Sequence, residues 1–252
     1  MITLNNSLTN TQNEMVIALL IDGDNVQSGY IDAIEKELAI LGNTTHKRLY
    51  YTSNTGISNG WGTVCNAHAL NLRHVLPYTD SKNSNVKNVA DSALIIDAMD
   101  ILYSGNVNCI CIVASDSDYT NIAKRLRESN IRVLGMGEKK TPAPFVNACD
   151  EFKYLEDLRT KYATEIKGKQ SEESDENAIP SKEEIENFIT NLLNNAGKPL
   201  DAGTIKQRIC QMWKNFNEQN YGASKMIKFF NTKKFKIIQE SGGNINIDLQ
   251  SR

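Results

Sequence analysis

Apolar residues fall along the front of the chain in short runs, with periodic stretches between them. The runs are VIALLI (16–21), KRLYY (47–51), RHVLPY (73–78), CICIVA (109–114) and IRVLGM (131–136). Between them Ile31, Ile34, Leu38 and Leu41 recur at helical spacing, as do Tyr119, Ile122, Ala123 and Leu126. Such spacing places each set on one face of a helix. The stretch VADSALIIDAMDILY (89–103) is long enough for about four helical turns. Strands and helices alternating at this rhythm predict an α/β domain on a mostly parallel sheet. The first and fourth runs have the near-continuous apolar character of strands covered on both faces.

The pattern changes beyond residue 165. KGKQSEESDENAIPSKEE (167–184) is charged, poor in apolar residues and broken by Pro180, which predicts a linker. After it, Ile185, Phe188, Ile189, Leu192 and Leu193 form one helical stripe, stopped by NNAGKP. A second helix over 203–214 carries Ile205, Ile209 and Trp213, and a third, from about Gly222, buries Met226, Ile227 and Phe230. FKIIQESGGNINIDL alternates on either side of a Gly-Gly turn, a hairpin signature. Three helices and a hairpin in about 70 residues predict a small winged helix-turn-helix domain. The expected organisation is a flexible tail over 1–14, a main domain over 15–162, a linker over 163–180 and the small domain over 181–250.

Composition narrows the classes. The 252 residues are 40% hydrophobic and 23% charged, and no apolar run approaches the roughly 20 residues of a membrane span. The polar first fifteen residues have no apolar signal core, so a cytoplasmic setting without membrane contact is expected. Five cysteines, at 65, 109, 111, 149 and 210, show neither paired disulfide spacing nor a CxxC, and three histidines leave little for a histidine-based site. The net charge of −2 hides a division: residues 1–160 carry 14 basic and 18 acidic side chains, residues 181–252 carry 11 and 7. A basic C-terminal module suits a polyanionic partner.

Carboxylates supply the candidate chemistry. In open parallel sheets, ligands sit at the carboxyl ends of strands where strand order reverses. The first run ends in Asp22, Gly23, Asp24 and Asn25, and the fourth in Ser115, Asp116, Ser117 and Asp118. In the common strand orders these two strands are neighbours, so both acidic tips meet in one crevice. Asp91 opens the helix that delivers the fourth strand and therefore starts at the same rim. A carboxylate there also suits the helix dipole, Asp116 and Asp118 also suit helix caps, and Asp24 alternates away from Asp22 as a turn residue. Asp97 and Asp100, further along the helix, are expected to face solvent or pair. Several carboxylates within about 4 Å repel by roughly 4 kcal/mol per pair at an effective dielectric near 20. All-oxygen ligands select a hard ion, Mg²⁺ or Mn²⁺, and such an ion with open water positions acts on phosphate groups.

IDGDN, KNVADSALIIDAM and VASDSDYTNIAKRLRESNIRVLGMG together resemble the NYN domains of the PIN-like nuclease superfamily, particularly the limkain type. GEKKTPAPFVNACDEFKYLEDL resembles the close of that domain, so the likeness covers roughly 15–160. It implies a PIN-like parallel sheet flanked by helices and a ribonuclease whose Asp22, Asp91, Asp116 and Asp118 bind Mg²⁺ or Mn²⁺ and carry catalysis. Asn25 matches the asparagine that accompanies the first-strand aspartate. FNEQNYGASKMIKFFNTKKFKII resembles a LOTUS (OST-HTH) domain, which implies RNA binding or docking of a protein partner. Ser115 and the basic residues Lys87, Lys124, Arg125, Lys139 and Lys140 are candidate contacts to the RNA, and Lys233, Lys234 and Lys236 lie by the expected wing. Two alternatives remain open: an RNA-binding adaptor with an idle site, and a haloacid-dehalogenase-type phosphatase, because IDGDNV satisfies its nucleophile motif. Against the phosphatase, a helix follows the motif almost at once where that class needs a flap.

Overall fold

The structure, a computed structural model, describes residues 15–52, 60–75, 89–167, 180–213, 215–230, 234–239 and 244–250. Strand β1 (Val16–Asp22) opens the sheet, and a 3-10 turn at Ser28–Tyr30 leads into α1 (Ile31–Leu41). There follow β2 (Asn43–Thr52), α2 (Trp61–Ala67), β3 (Asn71–Val75), α3 (Val89–Ser104) and β4 (Cys109–Val113). A second 3-10 turn, Ser117–Tyr119, precedes α4 (Thr120–Glu128), β5 (Arg132–Gly137), α5 (Ala143–Ala148), β6 (Glu151–Tyr154) and α6 (Leu155–Lys167). The six strands are parallel in the order β3-β2-β1-β4-β5-β6. The predicted α/β architecture is therefore the observed one, with β4 beside β1.

Strand periodicity sorts β1 between two cores. Ile17, Leu19 and Ile21 pack with Ile34 and Leu38 of α1, while Ala18 and Leu20 pack with Leu94 and Ala98 of α3. The next residue in the second series is Asp22, whose carboxylate is thereby carried under α3. Strand β6 gave no periodic signal because its four residues, EFKY, are all only partly buried.

Beyond the sheet come α7 (Lys182–Ala196), β7 (Leu200–Asp201), α8 (Ala202–Met212), α9 (Met226–Phe229), β8 (Phe235–Gln239) and β9 (Ile245–Leu249). Ser181 and Glu184 form a capping box at the start of α7, and Gly197, at φ +64°, ends it in the left-handed region. Strands β7, β9 and β8 make a small antiparallel sheet. The stripe Ile185, Phe188, Ile189, Leu192 and Leu193 is buried as its spacing predicts. Two details differ from the sequence reading. Helix α6 continues to Lys167, into the start of the expected linker. Because α9 is a single turn, Phe229 is buried and Ile227 stays exposed. The tail over 1–14, residues 168–179 and the expected turn at 240–243 lie outside the described residues. Among the described residues, no helix is long and apolar enough to cross a membrane.

Helix α1 is covered on more than one face. The stripe Ile31, Ile34, Leu38 and Leu41 predicts a one-faced helix, yet Ala33, Glu37, Ala39 and Ile40 are buried as well. One continuous apolar core runs from β1 through α1 to Ile185, Leu193, Ile205 and Ile209, and Gln211 of α8 donates to Asn43 at 2.7 Å. Buried Glu37 accepts from Lys153 at 2.6 Å, Lys161 at 2.7 Å and Tyr162 at 2.6 Å. Burial alone would raise its pKa, but these hydrogen bonds outweigh it and hold the carboxyl at about 2. A depressed carboxyl pKa contributes stability that is present above the unfolded value and lost as pH falls toward the folded one. Glu37→Gln is therefore expected to cost about 3 kcal/mol in urea unfolding at pH 7, with the gap to wild type closing as pH is lowered from roughly 5 to 2.

Candidate active site

The carboxyl ends of β1 and β4 lie side by side, with Ile21 paired to Val113. Helix α3 must run back down the sheet to deliver β4, so its first turn, with Asp91, begins at the same rim. Asp22 has no exposed surface and Asp91 is buried too. Asp22 Oδ1 accepts from the backbone N–H groups of Asp24 (3.1 Å) and Asn25 (3.3 Å). Its Oδ2 accepts from Asn25 Nδ2 at 2.7 Å and from the Tyr119 hydroxyl at 2.9 Å. That same hydroxyl lies 2.7 Å from Asp91 Oδ1. A phenol carries one proton and cannot fully satisfy two charged carboxylates. The second short contact calls for a proton on one carboxyl or for a positive charge close by.

The electrostatics agree. Burial pushes the Asp22 pKa up, Asn25 and Tyr119 pull it back, Asp91 adds repulsion, and the outcome is about 6. Asp91 is raised first by burial and further by the charges of Asp116, Asp118 and Asp24, against the Tyr119 hydrogen bond. Five aspartates thus share one field, although only Asp22 and Asp91 are enclosed. Asp116 caps the Ser117–Tyr119 turn by accepting from Asp118 N at 3.2 Å, and Asp118 is exposed. Asp24 faces β2, accepting from Thr52 N at 3.1 and 3.2 Å and from Thr52 Oγ1 at 3.0 Å. Asp24, which a phosphatase would use as its acid, is engaged with Thr52 on β2 instead. Among the described residues, no three of histidine, cysteine, aspartate and glutamate are close enough to hold an ion together.

The candidate substrate contacts divide. Asn25 touches Asp22 directly, and Ser115 Oγ accepts from Glu138 N at 2.9 Å, tying the end of β4 to the end of β5. Lys139 and Lys140 stand on the loop after β5, each ion-paired, to Asp157 at 2.7 Å and to Glu138 at 2.6 Å. Arg125 reaches Ser129 and, at the far end of α3, Tyr103. Lys124 lines an open cavity of about 830 Å³ with Arg127, Asn130 and Asp150, at the amino ends of the strands. The structure does not bring these two α4 residues to the rim, since α4 runs away from it. Lys87 and Lys233 lie outside the described residues.

Tyr119 is the residue that periodicity hid. Its ring belongs to the core stripe and packs against Phe145 at 6.0 Å between centroids, so apolar spacing assigns it to packing. The available signal was its place directly after SDSD, since a buried tyrosine hydroxyl seeks a partner.

Tyr119→Phe keeps the ring and removes the shared donor, and is expected to lower stability by about 1–3 kcal/mol in urea unfolding at pH 7 in EDTA. For Asp22 the sign is opposite to that of Glu37. A raised carboxyl pKa costs stability as pH climbs through the interval between unfolded and folded values. In EDTA, Asp22→Asn is expected to gain about 3 kcal/mol relative to wild type between roughly pH 4 and 7, read from unfolding curves across that range.

No curated protein matches the chain. Among solved structures, one from Vibrio parahaemolyticus RIMD 2210633, a protein of unknown function, is similar at 18% identity with a TM-score of 0.49, covering 57% of this chain and 95% of that one. The NYN domain family matches residues 16–156, the segment that holds the whole six-stranded sheet and every aspartate of the rim. The chain belongs to the NYN domain family, part of the PIN-like nuclease superfamily.

Proposed function

We propose that the protein is a divalent-metal-dependent ribonuclease that hydrolyses RNA phosphodiester bonds at the Asp22–Asp91 rim. The observation that carries this is the meeting of two buried carboxylates from separate segments on one hydroxyl, in a family of nucleases. The donor set fits a hard cation: it is all oxygen, and the excess negative charge is the kind such an ion relieves. Mg²⁺ is commonly held by one or two carboxylates while keeping several waters, so an enclosed pair is a sufficient anchor.

Asp22 and Asp91 would anchor the ion, Mg²⁺ or Mn²⁺; Asp116 and Asp118, which do not come close enough to share it in this arrangement, would act through their charge from the exposed side. When bound, it neutralises phosphate oxygens and makes a coordinated water more acidic. Asn25 orients Asp22 through its side-chain amide, and Tyr119 fixes the spacing of the carboxylate pair. Ser115 holds the β4 and β5 ends in register beneath the substrate, and Lys139 and Lys140 sit where a phosphate backbone would cross the rim. Lys87, Lys124 and Arg125 remain candidate contacts for more distant phosphates. No histidine is placed as an acid, so the leaving oxygen is protonated from water.

The C-terminal unit is proposed as a LOTUS (OST-HTH) domain that binds RNA or a protein partner. Its element order, helix, strand, two helices and a paired β8–β9, supports this.

Asp22→Asn and Asp91→Asn are each expected to cut Mn²⁺-dependent cleavage of single-stranded RNA by roughly a hundredfold or more, the scale of losing one preorganised electrostatic group. Retained hydrolysis in the Asp22→Asn, Asp116→Asn double variant would remove the assigned roles. A second reading, the RNA-binding adaptor, is favoured by the complete burial of Asp22. RNA binding without any divalent-dependent cutting would select it.

A further inference from the structure

Two guanidiniums lie beside this rim with one acid between them. Asp22, Tyr50 and Arg73 occupy one row across β1, β2 and β3, and partners in such a row face the same side of a parallel sheet. At about 4.8 Å per strand, Arg73 stands roughly 10 Å from Asp22 along the row. Arg48, two residues before Tyr50, shares that face. All three converge on a single oxygen of Asp97 on α3: the Tyr50 hydroxyl at 2.7 Å, Arg48 Nη1 at 2.8 Å and Arg73 Nε at 3.3 Å.

Among the described residues, the two guanidiniums there outnumber the one acid they contact. Lys139, Lys140, Lys206 and Lys234 each face their own carboxylate. Arg48 and Arg73 instead divide one, and neither is paired with a second acid among the described residues. Arg48 and Asp97 are about four-fifths covered. Arg73 meets Asp97 through Nε, and its side chain stays 44% exposed. A guanidinium fork matches two oxygens of a phosphate.

Given the ribonuclease function proposed above, on which this rests, we propose that Arg73, backed by Arg48, binds a phosphodiester of the same RNA strand that is presented to Asp22 and Asp91. The strand then leaves the rim over the β2–β3 side of the sheet. A phosphate contact of this kind carries no base preference, so it serves single-stranded RNA of any sequence. Asp97 keeps both guanidiniums extended, and Tyr50 fixes Asp97.

The test is fluorescence anisotropy of a labelled single-stranded oligouridylate on the full-length protein, in EDTA, over a series of potassium chloride concentrations. Arg73→Gln is expected to weaken binding several-fold and to flatten the slope of log K against log salt by about 0.7, the value of one phosphate contact on a single strand. Arg73→Lys should restore most of that slope. Arg132→Gln, which removes the same charge at the amino end of β5, should leave it unchanged. Equal affinity and slope for wild type and Arg73→Gln would overturn the proposal, as would wild type failing to bind the RNA. The nuclease reading fails separately: RNA bound through Arg73 but never cut with Mn²⁺ would sink that reading and leave this contact standing.

Discussion

Holding two buried carboxylates against one hydroxyl is the constraint around which this molecule is arranged. The Asp22 carboxyl, lifted to about 6, costs the metal-free fold about 3 kcal/mol at neutral pH. Its strand offsets that cost, because Ile17, Leu19, Leu20 and Ile21 are fully buried and each such side chain contributes roughly 1.5–3 kcal/mol. A strand covered on both faces can therefore end in an acid that solvent would otherwise keep. Tyr119 and Asn25 supply the donors that let the pair persist, while Asp116 and Asp118 add charge from outside. Apolar burial fixes where the acids stand, and their repulsion then defines what kind of ligand would be welcome.

The sheet was readable because its signals are local and strong. VIALLI and CICIVA show their double burial as unbroken apolar runs, and the two rim segments follow from parallel topology. Asp91 could be placed by a geometric rule about where a returning helix begins. What escaped was either short or dependent on three dimensions. Strand β6 offers four half-buried residues and no period. Tyr119 lies in an apolar stripe whose spacing says nothing of where its hydroxyl points, and the added burial of Ala33, Glu37, Ala39 and Ile40 on α1 depends on elements more than a hundred residues away. The pairing of cations was equally hidden, since Lys139, Lys140 and Arg125 look alike in sequence and differ only in what they meet.

Buried carboxylates are thus handled in two different ways on the two sides of the sheet. On the α1 side, Glu37 is buried among Lys153, Lys161 and Tyr162 and kept ionised. On the α3 side, Asp22 and Asp91 are buried with one neutral donor between them and left under strain. The first arrangement is complete within the protein and serves stability. The second is incomplete within the protein.

Helix α1 hangs from the turn that follows Asp22–Asn25 and is gripped along its length by the sheet and by α6, α7 and α8. The helix is therefore a shared wall. Its outer flank would be stripped of cover if the chain were severed between α6 and α7, and the shortened protein would present a greasy surface just below its acidic loop. The C-terminal unit is, in that sense, part of the scaffold beneath the rim rather than a detachable accessory.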